Sequence, residues 1–378
     1  MIVADVRVRI LAAPVEEEVA MSFGALTRRS MALVEVETED GLVGRGESWI
    51  NFPRWAGRER RATIEEGVAP LLIGEDAREI GALHARMVEA LGPLGRQWGA
   101  PGPIMQAISG ADLALWDLAG RAAGLPVAEL LGGAVRDRVP VYASGLGPAG
   151  VGELAARCAQ QGFTALKLRL GFGREVDERN LRAARAAAGP GVELLVDANQ
   201  AWTLAEAVAI APVLREHAVA WVEEPIRGDD PDELAELHRR TGLTVATGEN
   251  LYGSAAFEPY LARPEIAVLQ PDVSKTGGLS EALAVCRRAE ALGRAVAPHL
   301  YGGAIAYAAT LQLAACSRAV RIVEYDVRPN PLRDGLLADP PPVEGGCVRV
   351  PDSPGLGVEL DPAALEQWDG SVGSATRG

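Results

Sequence analysis

The sequence predicts an α/β protein in which a barrel of eight parallel strands follows a separate α+β domain. Between Lys167 and Glu324, short apolar runs that end in a charged or acid-base residue recur about every 25 residues, which is the strand spacing of a (β/α) barrel. Segments of helical period separate these runs. The chain has 378 residues, more than the roughly 250 of a bare barrel, and most of the surplus precedes residue 135.

Eight strands are predicted between Val139 and Glu324. The first is VPVYAS, which ends near Ser144. The other seven each begin with three or four apolar or β-branched residues, as strands that are buried on both faces should. They are ALKLRLG, ELLVDANQ, AWVEEP, TVATGEN, AVLQPDVS, AVAPHLYG and RIVEYD. Each run becomes polar at its carboxyl end, where barrel enzymes place their catalytic residues.

The segments between the strands carry helix start signals. Thr203 and Glu206 form a predicted capping box. Asp230 followed by Pro231 opens a second helix. Two glycines, at positions 277 and 278, turn the chain into a third.

The remaining segments predict the domain boundaries. Residues 1–130 are expected to form an α+β capping domain, because an alternating pattern surrounds the turn at Asp40-Gly41 and two segments of helical period follow it. Residues 135–325 form the predicted barrel, and residues 326–368 are expected to return to the capping domain. The small, polar residues 369–378 are predicted to be disordered.

Composition excludes several classes of protein. A net charge of −14 argues against nucleic acid as a partner, because binding phosphates requires a basic surface. The sequence shows no signal peptide and no apolar run of membrane-spanning length, so we expect a cytoplasmic protein without membrane contact. The cysteines lack CxxC spacing and are expected to be buried as small hydrophobic residues; they are Cys158, Cys286, Cys316 and Cys347.

Three acids mark a predicted metal site. Asp197, Glu223 and Glu249 follow one another at equal intervals of 26 residues, each at the end of a predicted strand. Carboxylates that converge on one small volume would be forced to take up protons unless a cation were present. Hard oxygen ligands of this kind suit Mg²⁺. The alternative is that each acid pairs with a basic residue of the barrel in a structural ion pair.

Asp272 and His299, on the sixth and seventh predicted strands, form a candidate general base. A carboxylate beside an imidazole fixes its tautomer and raises its basicity. The other three histidines, His84, His217 and His238, lie in helical patterns and are expected at the surface.

Lys167 and Arg169 alternate along the second predicted strand, so both side chains should point into the barrel mouth. Their charge could hold a substrate carboxylate and spread the charge of an enolate as it forms. It could also simply neutralise the ring of acids, and the sequence is compatible with both roles.

The sequence motifs of this chain resemble those of the enolase superfamily, and within it the mandelate racemase group. They run in the same order over nearly the whole chain: EDGLVGRGE, GADLALWDLAGRAAGLPVAELLGG, ALKLRLG, LLVDANQAW, WVEEP, TGEN, QPDVSKTGG, APHL and VEYD. The resemblance implies a capping domain, completed by carboxyl-terminal residues, on a modified (β/α)₇β TIM-type barrel. It also implies one Mg²⁺ and removal of the proton α to a carboxylate to give an enediolate.

By the same resemblance, Asp197, Glu223 and Glu249 would bind the metal, and Asp272 with His299 would be the base. Three further residues are assigned in this way. Asn199 would contact the substrate, Glu224 would lie just behind the metal ligands, and Glu324 would hydrogen-bond to a substrate carboxylate oxygen from the side opposite His299.

Arg169 departs from the family pattern. Racemases of this group usually carry Lys-x-Lys on the second strand, with the second Lys as the base on one face. A guanidinium is effectively never deprotonated, so Arg169 is a poor base and a good electrostatic clamp. The resemblance together with Arg169 therefore favours a single-base sugar acid dehydratase, a carbon-oxygen lyase. The alternatives are a racemase, epimerase or cycloisomerase of the same superfamily, and a barrel that binds without catalysis.

Substrate choice is expected to depend on two capping-domain loops, residues 14–29 and 47–55. Their aromatic and amide side chains could close over a carboxylate substrate or could pack between the domains: Phe23, Trp49, Asn51, Phe52 and Trp55. The acidic run of residues 16–18 is expected to be solvated; if it entered the site, it would favour aldonic over aldaric acids. The family resemblance further suggests a homo-oligomer, possibly an octamer.

Overall fold

The computed structural model describes residues 1–370, apart from the side chains of Glu16 and Glu17. The chain opens with a three-stranded antiparallel sheet, β1 (Val3–Met21), β2 (Gly24–Thr38) and β3 (Val43–Trp49), in the order β1-β2-β3. The hairpin predicted around Asp40-Gly41 is confirmed as the connection between β2 and β3.

Helical segments follow this sheet in the chain. They are α1 (Ala56–Ala62), a π-helical segment (Thr63–Val68), α2 (Ala69–Leu72), α3 (Ile80–Trp98), α4 (Pro101–Ala123) and α5 (Val127–Leu130). Strand β3 lies directly on α4 because it carries glycines at the contact. A Cβ on Gly46 would come within 1.9 Å of the Gly110 carbonyl oxygen. The motif GLVGRGE therefore fixes how the first domain packs.

The predicted barrel of eight parallel strands is confirmed. Its strands are β4 (Arg138–Leu146), β5 (Ala165–Arg169), β6 (Glu193–Asp197), β7 (Val219–Glu223), β8 (Val245–Thr247), β9 (Ile266–Leu269), β10 (Ala295–Val296) and β11 (Val323–Asp326). Each neighbouring pair from β4 to β10 is parallel, and β11 pairs with β4. A parallel bridge between Val296 of β10 and Val320, three residues before β11, closes the barrel.

The barrel helices are α6 (Val151–Gln160), α7 (Arg174–Ala188), α8 (Leu204–Glu216), α9 (Pro231–Thr241), α10 (Glu258–Leu261), α11 (Gly278–Ala291) and α12 (Ala304–Cys316). A 3₁₀ turn (Ser254–Phe257) precedes α10. The capping box of Thr203 and Glu206 is confirmed at the start of α8, and Asp230 caps α9.

The carboxyl-terminal segment contacts both parts of the molecule. It contains α13 (Pro331–Asp334), β12 (Val343–Glu344), β13 (Cys347–Arg349) and α14 (Pro362–Trp368). Strand β13 pairs antiparallel with the start of β4, while Gly355 bridges to Pro126. Asp369 and Gly370 pair with β1, and residues 371–378 of the predicted tail lie outside the described residues.

The prediction of a loop at residues 14–29 is wrong. These residues form the far end of the β1–β2 hairpin, in which Val19 pairs with Leu26 and Met21 with Gly24. Pro14 and the acidic run at 16–18 break the alternation that would have marked a strand, and pairing across the hairpin determines the structure instead. The hairpin tip, Ser22-Phe23, reaches the barrel mouth. In the second predicted loop, residues 47–49 belong to β3.

The surface prediction for His84 is also wrong. His84 is buried in α3, and its Nε2 lies 3.0 Å from the carbonyl oxygen of Gly277 in the barrel. Helix α3 therefore turns this polar residue towards the other domain, which a helical pattern alone does not reveal. His217 and His238 are half-buried.

The structure also bears on the expectations for the four cysteines, for membrane-spanning helices and for Glu18. Cys158 and Cys286 are buried, Cys316 and Cys347 are half-buried, and all four are free. Within residues 1–370, no helix is long and apolar enough to cross a membrane. Glu18 is exposed.

Candidate active site

Three carboxylates meet at the carboxyl ends of neighbouring barrel strands. Asp197 ends β6, Glu223 ends β7 and is its partner in register, and Glu249 follows β8. One ligand oxygen from each lies within 4.8 Å of the others. Asp197 and Glu223 are buried and Glu249 is half-buried. The equal spacing in the sequence thus becomes a single acidic cluster.

The surroundings stabilise the charges of the three acids unequally. Burial raises the pKa of Glu223 well above its usual range, and although Lys167 lowers it, Asp197 raises it further. Burial also raises the pKa of Asp197. Burial raises the pKa of Glu249 too, but His299 and Lys275 lower it below its usual value. Additional positive charge would allow Asp197 and Glu223 to ionise as well. Three oxygen donors at this separation fit a hard divalent cation that retains water ligands, as Mg²⁺ does.

Lys167 and Glu324 form one wall of the cluster. The Lys167 Nζ lies 2.6 Å from Glu223, 2.9 Å from Glu324 and 3.7 Å from Asp197. Burial lowers the pKa of Lys167, but the charges of Glu223 and Glu324 outweigh it and raise the pKa well above its usual value. Glu324 also accepts hydrogen bonds from the Leu300 N–H and the Ser144 hydroxyl. Lys167 is therefore a fixed cation.

The imidazole of His299 lies on the other side, bound to Asp272. Nδ1 of His299 is 2.7 Å from an Asp272 oxygen, and the other Asp272 oxygen accepts from the backbone and hydroxyl of Ser274. This leaves Nε2, which is 3.2 Å from Glu249. Burial lowers the pKa of His299, but Glu249 and Asp272 raise it to about 9. The pair has the geometry of a base with an orienting carboxylate.

Arg169 is held between the barrel and the β1–β2 hairpin. Its Nη1 donates to the Ala20 carbonyl oxygen (3.2 Å), and its guanidinium lies 5.3 Å from the centre of the Tyr301 ring. Arg29 lies 4.5 Å from the same ring and pairs with Asp326 at 2.5 Å. The hairpin tip is thereby tied to the second barrel strand.

Asn199 and Glu224 follow the first two acids in the left-handed backbone region, with φ of 44° and 37°. Asn199 donates to both oxygens of Asp197, and its own Oδ1 is buried and accepts no hydrogen bond from the described residues. Glu224 accepts from Gln200 and Asn250, each at 2.9 Å. Burial and Glu249 raise the pKa of Glu224 to about 7. Asn199 thus orients Asp197 and retains an unused acceptor, while Glu224 is held by Gln200 and Asn250.

A cavity of about 460 Å³ lies over these groups, with aromatic rings on its capping-domain side. Phe23 packs edge-on against Phe52 (5.3 Å between centroids), and Trp49 lies 6.2 Å from Phe52. All three line the cavity. Trp55 is 63% exposed and is not among the lining residues. Asn51 is buried and binds the backbone of Ser30 and Tyr301 instead.

Several residues at the cavity were not singled out from the sequence. They are Met21, Ser144, Gln200, Arg227, Asn250, Lys275 and Tyr301. Lys275 is buried, and its ammonium lies 3.0 Å from the Asn250 Oδ1 and 4.9 Å from the centre of the Trp49 ring. The sequence feature that could have indicated Lys275 is its position three residues after Asp272, just beyond the end of a predicted strand.

Two family models match the chain. Residues 4–132 match the amino-terminal domain of mandelate racemase and muconate lactonizing enzyme, and residues 150–364 match the enolase C-terminal domain-like family.

Individual proteins match over most of their length. The D-galactarolactone cycloisomerase of Agrobacterium fabrum is 34% identical over 90% of this chain and 92% of its own. The arabinonate dehydratase of Saccharolobus solfataricus is 32% identical, over 93% and 95% respectively. The crystal structure of a racemase from Streptomyces coelicolor with bound magnesium is 29% identical, covers 97% of this chain and 99% of that one, and has a TM-score of 0.88. The relatives are thus enzymes, and both lyases and isomerases are among them.

Proposed function

The chain belongs to the mandelate racemase and muconate lactonizing enzyme family of the enolase superfamily, and on this premise we propose that it dehydrates a sugar acid to a 2-keto-3-deoxy acid. It would thus be a hydro-lyase that needs Mg²⁺ and removes the proton α to a carboxylate. The arabinonate dehydratase and the D-galactonate dehydratases among its relatives support this class of substrate.

One observation carries the proposal. A single imidazole, His299, faces the acidic cluster with its outer nitrogen, whereas the Lys167 ammonium is already paired with both Glu223 and Glu324. Arg169, at the position of the usual second base, is bound to the hairpin backbone. One base suffices for an elimination, whereas racemisation through two bases requires a proton acceptor on each face of the substrate.

The metal would be held by Asp197, Glu223 and Glu249. A bound Mg²⁺ would polarise the substrate carboxylate and offset the charge that develops when the α-proton leaves. The ammonium of Lys167 would share that charge from the side of Glu324. Asn199, with its unused buried acceptor, would receive a hydrogen bond from a substrate hydroxyl.

His299 would serve twice in the reaction. Its Nε2 takes the proton from C2, and Asp272 stabilises the imidazolium that results. As the C3–O bond breaks, the imidazolium returns the proton to the departing hydroxide, which leaves as water. The enol that remains tautomerises to the 2-keto-3-deoxy acid, and C3 takes up a proton from solvent.

Cycloisomerisation is a second candidate, favoured by the similarity to the Agrobacterium protein. If the oxygen on the carbon β to the carboxylate belongs to a ring, the same proton removal and C–O cleavage would open that ring without loss of water. The residues and their roles would be unchanged.

Proton NMR in D₂O tests the proposal. Pooled aldonic acids, aldaric acids and their lactones are incubated with the protein and Mg²⁺, and again with a chelator. We expect new, partly deuterated C3 signals of a 2-keto-3-deoxy acid that disappear on chelation. Ring opening alone would support the cycloisomerase, and loss of the C2 signal without net conversion would support a racemase or epimerase. No change with any acid would contradict the proposal.

A further inference from the structure

The segment after His299 is anchored by a buried carboxylate of the capping domain. Glu47, in β3, is 1% exposed. One of its oxygens accepts from the Gly303 N–H at 2.6 Å, and the other accepts from the Ala306 N–H at 2.8 Å. These donors lie at the start of α12, where free N–H groups and the helix dipole favour a negative charge. Glu47 therefore fixes the turn that links His299 to α12.

Further contacts leave this turn little freedom. Asn51 donates to the carbonyl oxygen of Tyr301 at 2.9 Å. A Cβ on Gly302 would lie 2.9 Å from a Glu47 oxygen, and one on Gly303 would lie 2.5 Å from the Met31 sulfur. The three residues 301–303 thus lie against β2, β3 and the segment after β3. On the barrel side, the Leu300 N–H binds Glu324.

We propose that Glu47 is a positioning residue for His299, so that docking of the capping domain and alignment of the base are one event. The inference rests on the proposed function, because it presumes that His299 is the base. Glu47 does not line the cavity and acts through residues 300–303. Displacement of a catalytic group by about 1 Å can lower a rate about a hundredfold, so the position of this turn matters more to turnover than to binding.

The chain offers a matched control in Asp117. It is a buried carboxylate of the same domain, on α4, and it also accepts from two backbone N–H groups, those of Arg45 (2.9 Å) and Leu356 (2.8 Å). Its partners lie in β3, in the carboxyl-terminal segment and in α4 itself, where Arg121 pairs with it at 2.8 Å, all away from residues 300–303. Loss of charge in the same domain can therefore be separated from loss of the His299 anchor.

The experiment compares the full-length wild type with Glu47→Gln and Asp117→Asn, all loaded with Mg²⁺. We expect Glu47→Gln to lower kcat about tenfold to a hundredfold, with KM and the Mg²⁺ dissociation constant within about twofold of the wild type. Hydrogen exchange followed by mass spectrometry should show faster exchange in residues 298–306. Asp117→Asn should leave kcat and exchange in that segment unchanged. Glu47→Asp, which retains the charge on a shorter side chain, should recover part of the lost kcat.

Two results would overturn the proposal: an unchanged kcat in Glu47→Gln, or an equal loss of kcat in Asp117→Asn. Unchanged protection of residues 298–306 in Glu47→Gln would also contradict it, even if no substrate had been found. If the wild type exchanges no α-proton of any acid while Glu47→Gln still loosens residues 298–306, the proposed function fails and the anchor stands.

Discussion

The buried carboxylates of the barrel mouth and those of the capping domain differ in how they are neutralised. At the mouth, Asp197 and Glu223 lie together with Glu249 around one volume. Lys167 pairs with the first two acids, and Lys275 lies 3.6 Å from Glu249. In the capping domain each buried acid has its own donors. Asp112, for example, accepts from the backbone N–H and the hydroxyl of Ser280 in the barrel.

This difference distinguishes a candidate metal site from contacts that connect the two domains. A buried charge is tolerated where hydrogen bonds or an opposite charge compensate it. Glu47 and Asp112 accept from backbone N–H groups at the starts of barrel helices, so they join the domains and need no ligand. The clustered acids instead direct their oxygens to one shared volume, which a divalent cation would fit. Four predictions test this distinction, from the largest expected effect to the smallest.

The largest effect should come from the barrel mouth. His299→Asn removes the base that faces the cluster, so α-proton exchange and dehydration should fall about a thousandfold, within the range for general-base catalysis. Proton NMR in D₂O measures both rates. The midpoint of urea unfolding and the Mg²⁺ affinity should stay close to wild type, and appreciable exchange in the variant would exclude His299 as the base.

The second prediction concerns the pH dependence contributed by Glu47. Burial raises the pKa of this group from 4.5 to about 7, against the opposing effect of its backbone donors. The folded protein therefore binds more protons than the unfolded chain between those pH values, and this contribution to the free energy of unfolding falls as pH rises, by at most about 3 kcal/mol.

Urea unfolding of the wild type and Glu47→Gln across pH 4.5 to 7 isolates that contribution, because the amide does not titrate. The wild type should lose stability relative to the variant as pH rises. A constant difference would mean that folding does not raise the pKa of Glu47.

The third prediction concerns Asp112. Asp112→Asn removes an acceptor from the two Ser280 donors and should lower the free energy of unfolding by about 2 kcal/mol. Since the contact between Asp112 and Ser280 needs no cation, the loss in free energy of unfolding should be the same in Mg²⁺ and in chelator, as measured by urea unfolding. A loss that appeared only in Mg²⁺ would place Asp112 with the clustered acids.

The smallest effect concerns the cover of the cavity. Phe23 and Trp55 are equally exposed, at 62% and 63%, but Phe23 alone lines the cavity. Phe23→Ala should raise KM about fivefold, roughly 1 kcal/mol of lost apolar contact, with little change in kcat. Trp55→Ala is the matched control and should change neither. Equal effects of the two substitutions would mean that Phe23 does not cover the cavity in the way we expect.

The convergence of the acidic residues at the barrel mouth could be predicted well from the sequence. Asp197, Glu223 and Glu249 each end an apolar run, so strand spacing alone brought them together, and Asp272 and His299 followed from the same pattern. Their geometry is a direct consequence of the strand register. The roles assigned to them, the domain boundaries and the homo-oligomer remain predictions.

The contacts that the capping domain makes with the barrel were much harder to predict from the sequence. Glu47 lies 256 positions from the N–H group of Gly303 that it binds, and Asp112 is hidden within the helical period of α4. His84 was misplaced for the same reason, since its partner is in the other domain. Interactions between domains depend on how two finished units pack, and no local pattern records that packing.

A calorimetric titration of Mg²⁺ tests the central claim most directly. We expect one site per chain in the wild type and in Asp112→Asn, and loss of that site in Glu223→Gln, which removes one of the three clustered acids. The bound ion should also stabilise the first two proteins against unfolding, by about 2.7 kcal/mol at a hundredfold excess over the dissociation constant. Absence of binding in the wild type, or equal binding in Glu223→Gln, would contradict the claim that the clustered carboxylates are a metal site.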